Sequence, residues 1–140
     1  MCIRDRQIAN YRKVHVWPTE TAFTPGDELS VVDWDGVLKV GLGVCVDVCM
    51  LELIQAMVVN GGAQLIVIVN ALVEGRKYQK TSTTQVPARA FENRCYIAYV
   101  DLAGEKYLGA SRVCNPLAEC IVSACSSDEN MLLALSLIHI

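Results

Sequence analysis

Leu65–Val69 is an uninterrupted run of branched apolar residues, and it restricts the possible folds more than any other segment. A continuous apolar run of this length predicts a β-strand buried on both faces, as in a sheet covered by helices. The preceding run, Met50–Val58, has apolar residues at helical spacing and ends before Asn60, Gly61 and Gly62, which favour a helix stop. A helix followed by a buried strand indicates an α/β fold.

Turn residues and alternation predict the remaining elements. The Asp35-Gly36 pair predicts a β-hairpin between strands Leu29–Asp33 and Val37–Val44. Pro87 at an early helical position predicts a helix over Val86–Arg94. The other predicted segments are strands at Ala9–Val16, Cys95–Asp101, Tyr107–Cys114 and Cys120–Cys125, and a polar loop at Leu72–Thr84. Together they predict an α/β fold with a mixed sheet.

Composition excludes several classes of protein. The 140 residues are 53% hydrophobic and 19% charged with a net charge of −3, which predicts one domain with a real core and excludes intrinsic disorder. The mildly acidic balance argues against a nucleic-acid or anionic-membrane partner. No apolar stretch approaches the roughly 18 residues of a transmembrane helix. No apolar segment follows a basic start, so we expect a cytoplasmic protein without a signal peptide.

The two ends of the sequence form an unusual pair. Residues 1–6 and 135–140 can be encoded by DNA strings that are reverse complements of each other. The shared string resembles a transposon end used to prepare sequencing libraries, and such an inverted pair is hard to explain by folding or by function. The less favoured alternative is a true start codon and a short apolar tail. We therefore expect residues 1–6 and 135–140 to be translated sequencing adapter. Residues 7–134 would then be a partial domain, cut on both sides.

The cysteines do not predict a metal site. No two of the seven have the C-x2-C spacing of a zinc site, and His15 is the single histidine within residues 7–134. We expect no metal and no other cofactor. The six cysteines of residues 7–134 are interpreted as reduced thiols packed as small hydrophobic groups, with a disulfide framework as the minor alternative.

Cys45 is the candidate nucleophile because it follows the predicted strand Val37–Val44 and precedes the helix that begins near Met50. The N-terminus of a helix lowers the pKa of a thiol and offers N–H donors to an oxyanion. From position alone, a buried thiol at a strand end is the better interpretation. If Cys45 is catalytic, a carboxylate or a lysine is a more plausible partner than His15.

Four blocks in order resemble the nitrilase, or carbon–nitrogen hydrolase, superfamily. The first block consists of Tyr11–His15, Glu20 and Phe23–Asp27, and it resembles the family's lysine segment. The second block consists of Val40–Asp47 and Glu52, and it resembles the family's nucleophile motif. The last two are Ala88–Asn93, and Leu108–Arg112 with Pro116. The resemblance covers essentially all of residues 7–134. It implies part of a four-layer α-β-β-α sandwich with mixed β-sheets.

The resemblance also implies a Glu-Lys-Cys triad. By motif position Cys45 is the nucleophile, and Lys13 stabilises the tetrahedral oxyanion and favours the thiolate. Glu20 is implied as a second carboxylate that holds the lysine and the substrate, and the Val46 N–H as a backbone oxyanion donor. The family's general-base glutamate precedes the lysine block, where residues 7–12 contain no glutamate. We therefore expect this chain alone to be inactive or nearly so.

The implied reaction is hydrolysis of a non-peptide C–N bond in a small amide or N-carbamoyl compound through a cysteine thioester. The Cys45-x-Asp47 pattern resembles amidase and carbamoylase branches more than nitrile hydrolases, and the full-length protein is implied to be a homo-oligomer. The alternative is a non-catalytic relic that keeps the fold for assembly. Retention of Lys13 and Cys45 favours the enzyme.

Several other residues have ordinary structural interpretations. Asn70 and Ala71 end a predicted strand and are weak candidates for substrate binding, with a simple turn as an equal alternative. Asp47 is interpreted as a cap of the following helix. Arg89 and Glu92 are three residues apart, which predicts an ion pair within one helix.

Overall fold

The computed structural model describes residues 7–73, 75, 80–124, 128 and 130–134. Its strands are β1 (Val31–Trp34), β2 (Leu38–Val44), β3 (Leu65–Asn70), β4 (Tyr96–Asp101), β5 (Arg112–Cys114) and β6 (Cys120–Ser123). Its helices are α1 (Leu51–Val59), preceded by a 3-10 turn at Cys45–Cys49, and α2 (Val86–Asn93), preceded by a π-helical turn at Thr81–Gln85. Within these residues the strands form one mixed sheet in the order β1-β2-β3-β4-β5-β6, which confirms the α/β fold class.

Parallel pairing in the middle of the sheet brings three strand ends to one edge. β2 pairs in parallel with β3, and β3 with β4, while β1, β5 and β6 are added antiparallel. The register sets Val44 beside Val69, and Asn70 beside Asp101. The carboxyl ends of the three parallel strands therefore meet at one edge of the sheet, which is where open α/β sheets bind ligands.

The core lies between the sheet and the two helices. Leu53, Ile54 and Met57 of α1 have helical spacing and are buried against the sheet. Burying side chains of this size contributes about 1.5–3 kcal/mol each. The strand residues that share this core include Ile66, Ile68, Ile97 and Tyr99, all fully buried. No helix in the described ranges is long and apolar enough to cross a membrane.

The β1–β2 hairpin and the end of α1 confirm two sequence predictions. Asp35 and Gly36 have φ values of 52° and 71°, as the central residues of a type I′ turn require. The Gly36 N–H donates to the Asp33 carboxylate at 2.6 Å and fixes the turn. α1 stops just before Gly62, whose φ of 71° is left-handed.

The predicted strand Ala9–Val16 is wrong, because no helix or strand occurs between residues 7 and 30. Its backbone groups have other partners. The Gly26 N–H donates to the Lys13 carbonyl at 2.7 Å, and the Val14 and His15 N–H groups donate to side-chain oxygens. These bonds replace the backbone hydrogen bonds to a neighbouring strand that a β-strand would need.

The predicted strand Tyr107–Cys114 is reduced to Arg112–Cys114. Gly109 has a left-handed φ of 55°, and the Ala110 N–H donates to the buried Asp101 carboxylate at 3.0 Å instead of to a neighbouring strand. The predicted strand Cys120–Cys125 ends at Ser123, and Cys125 lies outside the described residues.

The predicted loop Leu72–Thr84 is wrong at its end, where Thr81–Gln85 form a π-helical turn that continues into α2. Residues 74 and 76–79 of that loop lie outside the described residues. The expected burial of β3 on both faces holds for one face among the described residues. Ile66 and Ile68 are fully buried under the helices, whereas Val69 is 49% exposed on the other face.

Candidate active site

Cys45 lies directly after β2, at the edge of the sheet where the parallel strands end. Its φ of +55° is left-handed, a conformation that residues other than glycine rarely adopt. The chain therefore turns sharply out of β2 into the Cys45–Cys49 turn, and α1 begins later, at Leu51. Strained backbone of this kind clusters at active sites.

Burial governs the ionisation of the Cys45 thiol. Desolvation raises the pKa of this half-buried thiol above its ordinary value. The Lys13 ammonium, the Val46 N–H and the Trp17 indole each lower that pKa, but burial outweighs them. The Val46 N–H at the start of the 3-10 turn lowers the pKa in the expected direction, but desolvation of the thiol outweighs it. At neutral pH the thiol is mostly protonated.

The raised pKa of Cys45 predicts how its alkylation by iodoacetamide depends on pH. Because the thiolate is the reactive form, the alkylation rate should reach half its maximum at a higher pH in the folded chain than in urea. In urea the thiol has an ordinary pKa of about 8.5. Peptide mass spectrometry after quenching measures the rate at Cys45 alone. A folded midpoint at or below the urea midpoint would contradict the prediction.

Lys13 and Glu20 form an ion pair beside the thiol. Lys13 Nζ is 2.6 Å from Glu20 Oε2, and the two side chains are 15% and 31% exposed. The same oxygen accepts the Trp17 backbone N–H at 2.6 Å. The Lys13 hydrogen bond, and then the Trp17 bond, hold the pKa of the Glu20 carboxyl below its ordinary value. An ionised carboxylate with two donors is suited to holding a lysine and poorly suited to accepting a proton.

One cavity of about 650 Å³ brings most of the predicted site residues together. Cys45, Lys13 and Glu20 line it, and so do Asn70 and Ala71 from the end of β3. Its volume and mixed lining are typical of a site for a small molecule. The apolar part of the wall is formed by Val16, Phe23, Val44, Val69 and Ala71.

Asn70 is held in place by the end of the sheet. Its Nδ2 donates to the Tyr99 hydroxyl and, at 3.3 Å, to Asp101 Oδ1. Asp101 is fixed in turn by the backbone N–H groups of Leu72 and Ala110, at 2.8 and 3.0 Å. The Asn70 Oδ1 atom is buried and has no hydrogen-bond partner among the described residues. Asn70 therefore belongs to a tertiary network and not to a simple turn.

Asp47 links the nucleophile turn to the N-terminal segment. Its side chain is fully buried and accepts hydrogen bonds from the Val44 N–H at 2.9 Å and the Tyr11 hydroxyl at 2.8 Å. The His15 N–H donates to it at 3.1 Å, and His15 Nδ1 lies at the same distance. The interpretation of Asp47 as a cap of α1 is wrong, because the N-cap residue of α1 is Met50 and no side chain caps it.

Arg89 forms the predicted ion pair with Glu92 at 2.8 Å, which confirms that prediction. It has a second set of contacts that the sequence did not indicate. Its Nε and Nη2 atoms donate to the carbonyls of Val48 and Cys49 at 3.2 and 3.1 Å. These carbonyls end the 3-10 turn, so α2 anchors the turn that begins with the nucleophile.

The sequence analysis missed the contributions of Tyr11, Trp17 and Asp47. A signal for Tyr11 was present, because Tyr11, Lys13 and His15 alternate as same-side residues of an extended chain do. No comparable pattern marks the contact of the Trp17 indole with the thiol. In the parts of the chain that the structure describes, no group of three His, Cys, Asp or Glu residues could hold a metal ion.

The model of the carbon-nitrogen hydrolase family matches residues 2–136. The chain belongs to the carbon-nitrogen hydrolase family. Among relatives in this family, an (R)-stereoselective amidase of a Pseudomonas species is 32% identical over 120 residues, which cover 81% of this chain and 42% of that protein. The deaminated glutathione amidase of Escherichia coli O157:H7 is 29% identical over 123 residues, covering 84% and 46%.

Solved structures of carbon-nitrogen hydrolases confirm the fold. A structure of an amidase from Nesterenkonia matches with a TM-score of 0.77 and 31% identity, over 84% of this chain and 48% of that one. It shows the result of Michael addition of acrylamide at the active-site cysteine of that amidase. The resemblance to the nitrilase superfamily is thus confirmed, and the chain spans less than half the length of these relatives.

Proposed function

We propose that this chain carries the nucleophile and the oxyanion-binding lysine of a thiol amidohydrolase for small amides or N-carbamoyl compounds. The observation that carries the proposal is the convergence of Cys45, Lys13 and Glu20 on one cavity at the carboxyl edge of the sheet. Family membership and the amidase relatives support the same reaction class.

In the first half of the reaction, the Cys45 sulfur attacks the carbonyl carbon of the substrate and a C–S bond forms. The carbonyl oxygen becomes an oxyanion, which the Lys13 ammonium and the Val46 N–H are suited to stabilise. The C–N bond then breaks, and ammonia or an amine leaves with one added proton. In the second half, water hydrolyses the acylated or carbamoylated sulfur, which releases a carboxylic acid from an amide or a carbamic acid from an N-carbamoyl compound and restores the thiol.

The raised pKa of Cys45 means that a base must remove the thiol proton as the sulfur attacks. Glu20 is a poor candidate, because its charge is already bound by Lys13 and by the Trp17 N–H. We assign the general base to a glutamate outside this chain, as the resemblance implies. Residues 1–140 alone should therefore react with a substrate poorly or not at all.

The cavity wall favours a substrate with a small uncharged acyl group. Valine, alanine and phenylalanine side chains form much of this wall, and they would accept an alkyl group more readily than a charged one. Asn70 and Ala71 contribute the end of β3 to the lining of the same cavity. We therefore propose roles for Asn70 and Ala71 in substrate binding.

The test uses the protein encoded by the complete reading frame, recovered by sequencing the source DNA beyond both ends. Ammonia release is measured with acetamide, butyramide and an N-carbamoyl amino acid, with and without hydroxylamine. With the two amides, a thioester intermediate would acylate hydroxylamine, so hydroxamate should form in parallel with the acid. The chain of residues 1–140 serves as the matched comparison and should release no ammonia above background.

Three outcomes would count against the proposal in different ways. Hydrolysis without any hydroxamate would argue against a thioester. Full turnover by residues 1–140 would show that the base lies within this chain. A complete, folded protein that is inactive on all substrates would favour the non-catalytic, assembly-related alternative.

A further inference from the structure

We propose that Asp47 is a positioning residue that sets the separation between Lys13 and Cys45, an inference that rests on the proposed function. Among the described residues, no hydrogen bond joins Asp47 to either of these two side chains. It is two residues from the nucleophile along the chain and is bonded to the residues on both sides of the lysine. Its role is therefore to connect two catalytic segments that come from different parts of the fold.

The lysine segment needs such a connection because no sheet ladder or helix holds it. Between residues 7 and 30 the described backbone has no regular element, so a few individual bonds fix its position. One of them is the 2.7 Å bond from the Gly26 N–H to the Lys13 carbonyl. It requires close packing, since a Cβ on Gly26 would lie 2.2 Å from the Arg12 carbonyl oxygen.

Tyr11 and His15 add bonds that join this segment to Asp47. Tyr11, two residues before Lys13, donates its hydroxyl to Oδ2 at 2.8 Å. His15, two residues after Lys13, approaches Oδ1 with both its N–H and its Nδ1 atom at 3.1 Å. The two carboxylate oxygens thus hold the two flanks of the lysine, one flank each.

The same carboxylate is fixed to the nucleophile turn. Its Oδ2 atom accepts the Val44 N–H at 2.9 Å, and its residue lies within the 3-10 turn that begins at Cys45. Asp47 is fully buried, and a buried carboxylate is stable only with several donors, which is the case here. Movement of the lysine segment relative to the turn would break these bonds.

Loss of the Asp47 charge should lower the pKa of the Cys49 thiol, whereas loss of its positioning role should raise the pKa of the Cys45 thiol. The charge of Asp47 raises the pKa of Cys49, whose thiol is already shifted upward by burial. The charges that act on Cys45 are those of Lys13, which lowers its pKa, and Glu20, which raises it. Removing the charge should therefore make Cys49 more reactive. Displacing Lys13 should make Cys45 less reactive.

The experiment measures alkylation of Cys45 and Cys49 by iodoacetamide in residues 1–140, at a pH of about 8, by peptide mass spectrometry. In Asp47→Asn we expect the alkylation rate of Cys45 to fall roughly threefold, because the lysine no longer favours the Cys45 thiolate. Cys49 in the same protein should react at the same rate or faster. The control Asp35→Asn removes an exposed carboxylate in the β1–β2 turn, outside the lysine segment, and should change neither rate.

Lys13→Met separates failure of this inference from failure of the proposed function. If Lys13→Met does not slow Cys45, the coupling of lysine and thiol in the proposed function is wrong. If Lys13→Met slows Cys45 but a cooperatively melting Asp47→Asn does not, the positioning role alone is overturned. Should Asp47→Asn fail to melt cooperatively, Tyr11→Phe becomes the test of the positioning role. It removes one donor and no charge, and it should slow Cys45 by a smaller factor with Cys49 unchanged.

Discussion

Replacing Cys45 with alanine should reduce amide hydrolysis by the complete protein to background, a loss of roughly 10⁴-fold or more. The substitution removes the atom that forms the covalent bond to the substrate, and no described residue can take its place at that position. The left-handed backbone of Cys45 ties the thiol to this one point at the end of β2. The measurement is the rate of ammonia release under saturating substrate.

Cys49→Ala is the matched control for this substitution. Cys49 ends the same turn and is similarly half-buried, but its thiol donates to Gln85 Oε1 at 3.3 Å. We expect Cys49→Ala to retain activity within a few-fold of the parent protein. Substantial hydrolysis by Cys45→Ala, or an equal loss in both variants, would contradict the assignment of the nucleophile.

Replacing Lys13 with methionine should lower kcat of the complete protein by roughly 10²–10³-fold with a smaller change in KM. Loss of one donor to an oxyanion typically has this effect, because the charge develops in the transition state and not in the bound substrate. Methionine keeps most of the length and apolar contact of the lysine side chain. Glu20 would also lose the partner at 2.6 Å that keeps its carboxyl ionised. Steady-state kinetics with one amide substrate measures both constants.

Lys39→Met tests whether the loss is specific to Lys13. Lys39 is an exposed lysine in β2, at the end of the strand away from Cys45, and it should tolerate the change without loss of kcat. An increase in KM alone in Lys13→Met, with kcat unchanged, would assign Lys13 to substrate binding and not to the oxyanion.

The sequence was sufficient for elements that local residues determine. The Asp35-Gly36 pair supplies the positive φ values of the first hairpin, and the spacing of Leu53, Ile54 and Met57 buries one face of α1. Both features depend on neighbours within a few residues, and both were predicted. The alternation of helices and buried strands likewise led to the correct α/β class.

Elements that depend on distant partners were predicted poorly. Ala9–Val16 has a strand-like composition, but the His15 N–H bonds to the Asp47 side chain, 32 residues away, and no strand of the described residues pairs with the segment. The segment before Arg112 leaves the sheet because Asp101 binds the Ala110 N–H. A strand prediction made from local composition cannot include a hydrogen bond to a residue far away in the chain.

The residues of the candidate site also differ in whether the sequence was enough to predict their roles. Cys45, Lys13 and Glu20 were identified through motifs that resemble a family, and the structure places all three at one cavity. Asp47 was assigned to helix capping because that is the local interpretation of an aspartate near the start of a helix. Besides the local Val44 N–H, its partners are Tyr11 and His15, which are 36 and 32 residues away. The net direction of the shift in the pKa of Cys45 could not be predicted, since the sequence does not show how deeply a thiol is buried.

The left-handed backbone at Cys45 lowers the thermodynamic stability of the fold at the residue that the chemistry requires. A side chain in this conformation costs roughly 1–2 kcal/mol, and glycine would avoid most of that cost. Folding alone would therefore select glycine at this position, and the protein with glycine would be more stable and chemically inert. Engineering that screens only for a higher melting temperature would therefore favour loss of the nucleophile.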